Sequence, residues 1–221
     1  MRSYTLFSLL LVLFISCEFG SSSTGTTTGA VSDTTAKPAA ITPKDWVCIP
    51  HRKVGLITKD ATEEAIKYVY GADQVKRQEI GLGEGETTAG TIVFPGTANE
   101  LIVEWTQDDP YKTISRIRIE KAGTQWKSKE GITIGTTLEE LVKLNRKDFK
   151  FFGFEWDYSG SLDSWEDGQV QADLKVVLTP ENPKAVFPKL VGDRSFSSSN
   201  PIAKTANLKV STLIIEMSKG E

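Results

Sequence analysis

Gly55-Leu-Ile-Thr-Lys-Asp60-Ala-Thr-Glu63-Glu64-Ala65-Ile66-Lys67 recurs without gaps as Gly131-Ile-Thr-Ile-Gly-Thr136-Thr-Leu-Glu139-Glu140-Leu141-Val142-Lys143, so that position 55 maps onto 131 at a constant offset of 76. In each copy a short apolar strand runs into a turn. Asp60 or Thr136 then stands where a helix N-cap is expected, with Glu63 or Glu139 three residues on to complete a capping box. Ala65, Ile66 and Val69 in the first copy, and Leu138, Leu141 and Val142 in the second, fall at the spacing of a core-facing helix. The doubled glutamates favour the positive end of the helix dipole, which accounts for them without any catalytic role.

Outward from each helix the chain turns strand-like. Residues 88–94, 100–105 and 113–120 follow the first, and 149–158, 169–178 and 208–217 follow the second, all rich in β-branched and aromatic side chains. Pro95-Gly96 and Asp108-Asp109-Pro110 punctuate them. The predicted fold is therefore α+β, two tandem repeats of a helix plus antiparallel strands spanning 45–125 and 126–221, which form either one compact unit or two small sheets. Gly81-Leu82-Gly83-Glu84-Gly85-Glu86 lacks the spacing of a phosphate-binding loop and places carboxylates where a phosphate needs amide donors, so it reads as a mobile loop.

Before the repeats, the apolar run Leu6 to Ser16 follows a single positive charge, Arg2, and ends at Cys17. The run has the length of a signal-peptide apolar region and is shorter than the roughly 20 residues that span a bilayer as a helix. Phe14-Ile15-Ser16-Cys17 resembles the lipobox of bacterial lipoproteins, in a relaxed form with bulky residues before Ser16. The resemblance covers residues 1–17 and implies removal of a signal peptide, 1–16, with diacylglycerol on Cys17 and an acylated mature N-terminus. Ordinary secretory cleavage and an uncleaved anchor are the competing readings. Residues 17–44 are dominated by Ser, Thr, Gly and Ala and read as a lipidated start followed by a flexible tether, with a root-mean-square reach of roughly 28 Å. No acidic block follows Cys17, so the implied address is the bacterial envelope, outer membrane, facing the periplasm. With Cys17 acylated, Cys48 has no intrachain partner, and in Trp46-Val47-Cys48-Ile49-Pro50 it reads as a small core hydrophobe.

Residues 45–221 carry 23 basic and 27 acidic side chains, a net charge of −4 with the signs interspersed, which argues against a nucleic-acid partner. The expected partners are the bilayer, through Cys17, and an envelope protein or glycan. His51 is the only histidine, so a histidine metal cluster is excluded, and between Pro50 and Arg52 it reads as a solvated turn residue. No nucleophile elbow, metalloprotease pair or P-loop is present, and no cofactor is called for. Asp163-Ser-Trp165-Glu-Asp167-Gly168 falls short of a calcium loop because Trp165 stands at the second ligand position.

One stretch has the composition of a ligand site. In Phe149 to Tyr158, alternation places Phe152, Phe154, Trp156 and Tyr158 on one strand face, with Glu155 and Asp157 opposite. Together with Trp165, these aromatics and paired acids would suit a carbohydrate-binding or glycoside-cleaving groove. The competing reading buries the aromatic row as core and leaves the acids in solvent. Tandem α+β halves of this period resemble the small secreted inhibitors of β-lactamases, and a turn-helix followed by strands resembles the small lipoproteins of outer-membrane assembly. These resemblances are architectural and carry no functional residue across. The sequence as a whole reads as a membrane-tethered, non-enzymatic binding or scaffolding protein, with the glycan module as the alternative.

Overall fold

Thr62 and Thr137 start the two helices. In the computed structural model, which describes residues 45–83 and 85–218, the Thr62 hydroxyl accepts from the Ala65 N–H at the head of α1 (Glu63–Tyr70). The Thr137 hydroxyl accepts from the Glu140 N–H while the Glu140 carboxylate accepts from the Thr137 N–H, a complete capping box on α2 (Leu138–Asn145). The caps thus lie two residues and one residue beyond Asp60 and Thr136. The buried faces are Glu63, Ile66 and Tyr70 on α1 and Leu138, Leu141 and Asn145 on α2. Ala65, placed by its periodicity on the core side, is exposed. Gly71 ends α1 at φ 95, a backbone that side chains rarely adopt, and its N–H returns to the Lys67 carbonyl. Cys17, the signal segment and the tether lie outside the described residues.

Before α1 the chain forms β1 (Val47–Ile49), β2 (Lys53–Val54) and β3 (Ile57–Thr58). Between the helices run β4 (Val75–Gly83), β5 (Glu86–Val93), β6 (Leu101–Trp105), β7 (Ile114–Ile119) and β8 (Lys127–Ser128). After α2 come β9 (Lys150–Phe152), β10 (Leu162–Ser164), β11 (Leu174–Pro180), α3 (Pro183–Val186), β12 (Ser195–Ser197), α4 (Pro201–Thr205) and β13 (Leu208–Glu216). Three sheets result, in the orders β3-β2-β1-β8, β10-β9-β12 and β11-β13-β7-β6-β5-β4. The class is mixed α+β and mostly sheet. The six-stranded sheet joins strands from both halves through the antiparallel pairing of β13 with β7.

One face of that sheet is the core. Val103, Ile117, Ile119, Leu213, Ile215, Val176 and Leu178 pack in a single apolar cluster with Ile66 and Tyr70 of α1 and Leu138 and Leu141 of α2. Burying each of these side chains contributes about 1.5–3 kcal/mol. Cys48 is fully buried in the same cluster, as its neighbours predict, and burial pushes its thiol up to about 12. Tyr70 seals the end of α1. Its ring meets Phe94 edge-on at 4.9 Å, and its hydroxyl accepts from the Leu56 N–H at 3.1 Å.

Among the described residues, Glu63 is the one buried carboxylate in this layer, 1% exposed. Arg77 Nε donates to both of its oxygens, Lys67 Nζ donates at 2.8 Å, and the Thr91 hydroxyl donates at 2.8 Å while accepting from Trp105 Nε1. Burial by itself would raise the carboxyl, but the hydrogen bonds from Arg77, Lys67 and Thr91 outweigh it and hold Glu63 below the usual range. The guanidinium also lies 3.9 Å over the Tyr111 ring. A glutamate that looked like simple dipole complement therefore fastens α1 to β4 and β5.

Three expectations change. Residues 169–178 are extended only from Leu174, where β11 begins. Of the expected loop 81–86, Gly81–Gly83 and Glu86 are strand, because β4 and β5 pair as far as Gly83 with Glu86. Residues 149–158 do not form one long strand. Only Lys150–Phe152 is extended in a ladder, and the chain then turns through Glu155, which sits at φ 64.

Candidate functional site

Helices α1 and α2 pack in the core on the first face of the six-stranded sheet, and on its second face strand register sets what is displayed. Across the strands from β11 to β4 one row reads Lys175, Ile214, Arg118, Ile102, Ile92 and Lys76. The next row, from β13 outward, reads Glu216, Arg116, Glu104, Gly90 and Gln78. Side chains two apart on one strand share a face, so both rows project to the same side. Gly90 keeps the surface low at its centre. A Cβ there would fall 2.2 Å from Ile80 Cγ1, so only glycine lets the Ile80 side chain fold over β5.

Charge on this face is organised. Glu104, 3% exposed, accepts from Arg116 Nε at 2.7 Å through one oxygen and lies 2.6 Å from Arg118 Nε through the other. Arg118 reaches on to Glu120 at 3.1 Å. One carboxylate thus holds Arg116 by a hydrogen bond and Arg118 by charge, Glu104 Oε1 and Arg118 Nε facing each other without a hydrogen bond, and this lowers the entropy the guanidiniums would lose on meeting a partner. Glu216 lies at the margin of this network, and burial raises its carboxyl against the opposing fields of Arg116, His51 and Lys175. His51 is not a free turn residue. Its side chain is 21% exposed, its Nε2 stands 3.3 Å from Asp173 Oδ2, and its backbone N–H donates to the Glu216 carbonyl. Toward β4 the face deepens into a groove of about 410 Å³ floored by Ile80, Ile92 and Ile102 and edged by Lys76, Glu100 and Arg118.

The aromatic stretch splits. Phe151 and Phe154 are core, while Phe152, Trp156 and Tyr158 cluster at the surface. Trp156 and Tyr158 centroids lie 5.2 Å apart at 68°, and Phe152 lies 5.7 Å from Trp156 and 5.9 Å from Tyr158. Gly160 donates to the Gly153 carbonyl and closes the loop, and Trp156 Nε1 donates to that same carbonyl. Tyr158 is 60% exposed, and Glu155 and Asp157 are exposed beside it. Trp165 is elsewhere. It is buried against Phe149 at 5.1 Å and donates to the Leu174 carbonyl, so its ring is not offered to a ligand. Asn145 explains its neighbourhood, since its amide donates to the Trp165 and Lys147 carbonyls and accepts from the Val170 N–H, pinning the 163–170 segment to the end of α2.

The structure therefore brings together Glu155, Trp156, Asp157 and Tyr158 and separates Trp165 from them. The sequence reading missed Glu104, Arg116, Arg118 and Glu216. A signal was present in Ile114-Ser-Arg116-Ile-Arg118-Ile119, where arginines alternate with isoleucines on a strand that pairs on both sides. Among the described residues, no group of three or more His, Cys, Asp or Glu side chains is placed to hold a metal ion. Comparison with protein-family models, curated proteins and solved structures finds no match to this chain.

Proposed function

We propose that the chain is a lipid-anchored, non-enzymatic binding protein of a bacterial envelope, held by acylated Cys17 at the outer membrane, spaced from it by residues 17–44, and offering the open sheet face to a protein partner. The observation that carries the binding surface is the pair of arginines fixed by Glu104 above an aliphatic floor. With Lys76 and Lys175 at its ends, the first row of the face is cationic among isoleucines, and it fits a protein segment that sets carboxylates around aliphatic side chains. A photoreactive residue at Ile102 in the full chain, in its own cells, is expected to give one discrete adduct. The same residue at Tyr68 on the opposite side is expected to give none, and Lys76→Glu with Lys175→Glu to remove the Ile102 adduct. An adduct that survives both charge reversals contradicts the reading.

Descent of the two helix-plus-strand halves from one duplicated unit belongs to the same proposal. The helix caps Thr62 and Thr137 and the buried positions that follow them correspond at an offset of 75, one residue short of the 76 of the sequence repeat, so duplication requires a one-residue shift between the opening glycines and the helices. Gly55 and Gly131, which open the two copies, both take positive φ.

The glycan reading keeps one supporting observation, the surface cluster of Trp156 and Tyr158 beside Glu155 and Asp157. Trp156→Ala is its test on a glycan array, because a change at buried Trp165 would confuse folding with binding. No array binding by the wild-type chain removes this reading.

A further inference from the structure

We propose that the outer edge of β4 pairs with β4 of a second copy of this chain, antiparallel about Gln78. The six-stranded sheet has two edges, and they differ. The outer side of β11 is covered, since Leu178 N–H donates to the Gly160 carbonyl and Ser161 bridges Val177. No strand pairs with the outer side of β4 among the described residues, and Lys76, Arg77, Gln78 and Glu79 are exposed.

The hydrogen-bond phase says which groups are free. Phe94 N–H donates to the Gln74 carbonyl, so in this antiparallel pair the inward-bonding residues of β4 are Lys76, Gln78 and Ile80. The N–H and C=O groups of Arg77, Glu79 and Gly81 point outward. An open edge of this length is a template for another strand, and charged side chains decide which one.

Register about Gln78 sets Arg77 opposite Glu79 of the second copy and Glu79 opposite its Arg77, both at outward-bonding positions, with Gln78 facing itself. Opposite charges directly across a ladder are favourable and like charges are not. Centring on Lys76, Arg77 or Glu79 would set each of those charges against its own copy. Centring on Ile80 gives an equal overlap but sets Glu79 opposite Gly81 and Arg77 opposite Gly83, so both charge pairs are forfeited. Arg77 is already held in place by Glu63, while Glu79 has no ion pair among the described residues. Because the β11 edge is covered, pairing stops at two copies and builds a closed dimer in place of a filament.

This dimer is independent of the open-face partner. Gln78 faces itself at a non-hydrogen-bonded position, where Cα atoms lie about 4.5 Å apart and a disulfide fits. Gln78→Cys in the full chain is therefore expected, under mild oxidation, to give a disulfide-linked dimer well above the parent chain, which retains Cys17 and Cys48. Lys189→Cys, exposed on a different segment, is expected to stay at the parent level. Adding Glu79→Arg to Gln78→Cys is expected to lower the dimer at least fivefold. Cross-linking of Gln78→Cys at the parent level, or cross-linking unchanged by Glu79→Arg, overturns the proposal, as does a disulfide formed only with a different protein.

Discussion

Replacing Glu63 by Gln probes the polar joint between α1 and the sheet. The carboxylate is 1% exposed and receives hydrogen bonds from Arg77, Lys67 and Thr91. Its charged donors keep access to water, Arg77 being 56% exposed and Lys67 27%, so the substitution strands no buried cation. What is lost is the charge assistance, and the new amide N–H₂ group turns donors toward donors. Hydrogen bonds to a charged group are worth about 1.5–3 kcal/mol, and the expected loss at pH 7 is about 2–3 kcal/mol. In a domain of this size each kcal/mol moves the melting temperature by roughly 2–4 °C, so a fall of about 4–12 °C is expected. The pH dependence fixes the cause. Glu63 is held below its usual value of 4.5, so its contribution is present above that value and is lost as the pH falls through the lowered folded value. Urea unfolding of wild type and Glu63→Gln at pH 7 and then stepwise below 4.5 should show the two curves converging. A difference smaller than about 0.5 kcal/mol at pH 7, far below a charged hydrogen bond, or one that persists undiminished in acid would refute the reasoning.

Glu216 behaves with the opposite sign. Burial raises its carboxyl, so its favourable contribution is present at low pH and is lost as the pH rises through the folded value, and Glu216→Gln should raise the urea midpoint at pH 7, with the gain fading toward about pH 4; an equal gain at both pH values contradicts the assignment. Gly90→Ala places a methyl group against Ile80 Cγ1, and overpacking of this kind should cost about 1–3 kcal/mol in urea unfolding, with no loss if the hairpin lies elsewhere. Cys48, with its thiol pushed up to about 12, should resist a thiol reagent at pH 8 until the chain is denatured, measured in a Cys17→Ala background so that one thiol is counted. Rapid labelling of the folded chain would place Cys48 outside the core.

How far the sequence could be read follows from how local each cause is. Helix starts depend on a hydroxyl and a glutamate within four residues, and both helices appear within two residues of their expected caps. Strands β5, β6, β7 and β13 alternate or bury both faces, and their expected spans overlap the observed ones closely. β4 was hidden because an edge strand need not alternate, and of its nine residues only Ile80 is buried. The 149–158 stretch shows the reverse error. Its period-two aromatics suit a strand, yet a Cβ at Gly153 would lie 2.5 Å from the Gly192 carbonyl, so the backbone passes too close to a distant segment to continue straight. The burial of Glu63 depends on Arg77 and Thr91, and the open face depends on the pairing of β7 with β13 across about 100 residues. Cross-strand register is not written in any local window. The aromatic and acidic residues of the candidate loop were legible as a group, and Trp165 left that group because Phe149 and Leu174 claim it.

The proposed lipid anchor at Cys17, with the domain as its cargo, underlies the function proposed for this chain. Metabolic labelling of the full chain with a palmitate analogue, wild type beside Cys17→Ala, followed by separation of membrane and soluble fractions, tests it most directly. Label and membrane association are expected in the wild type, with loss of both in Cys17→Ala. Equal labelling and equal membrane association of the two chains would contradict it.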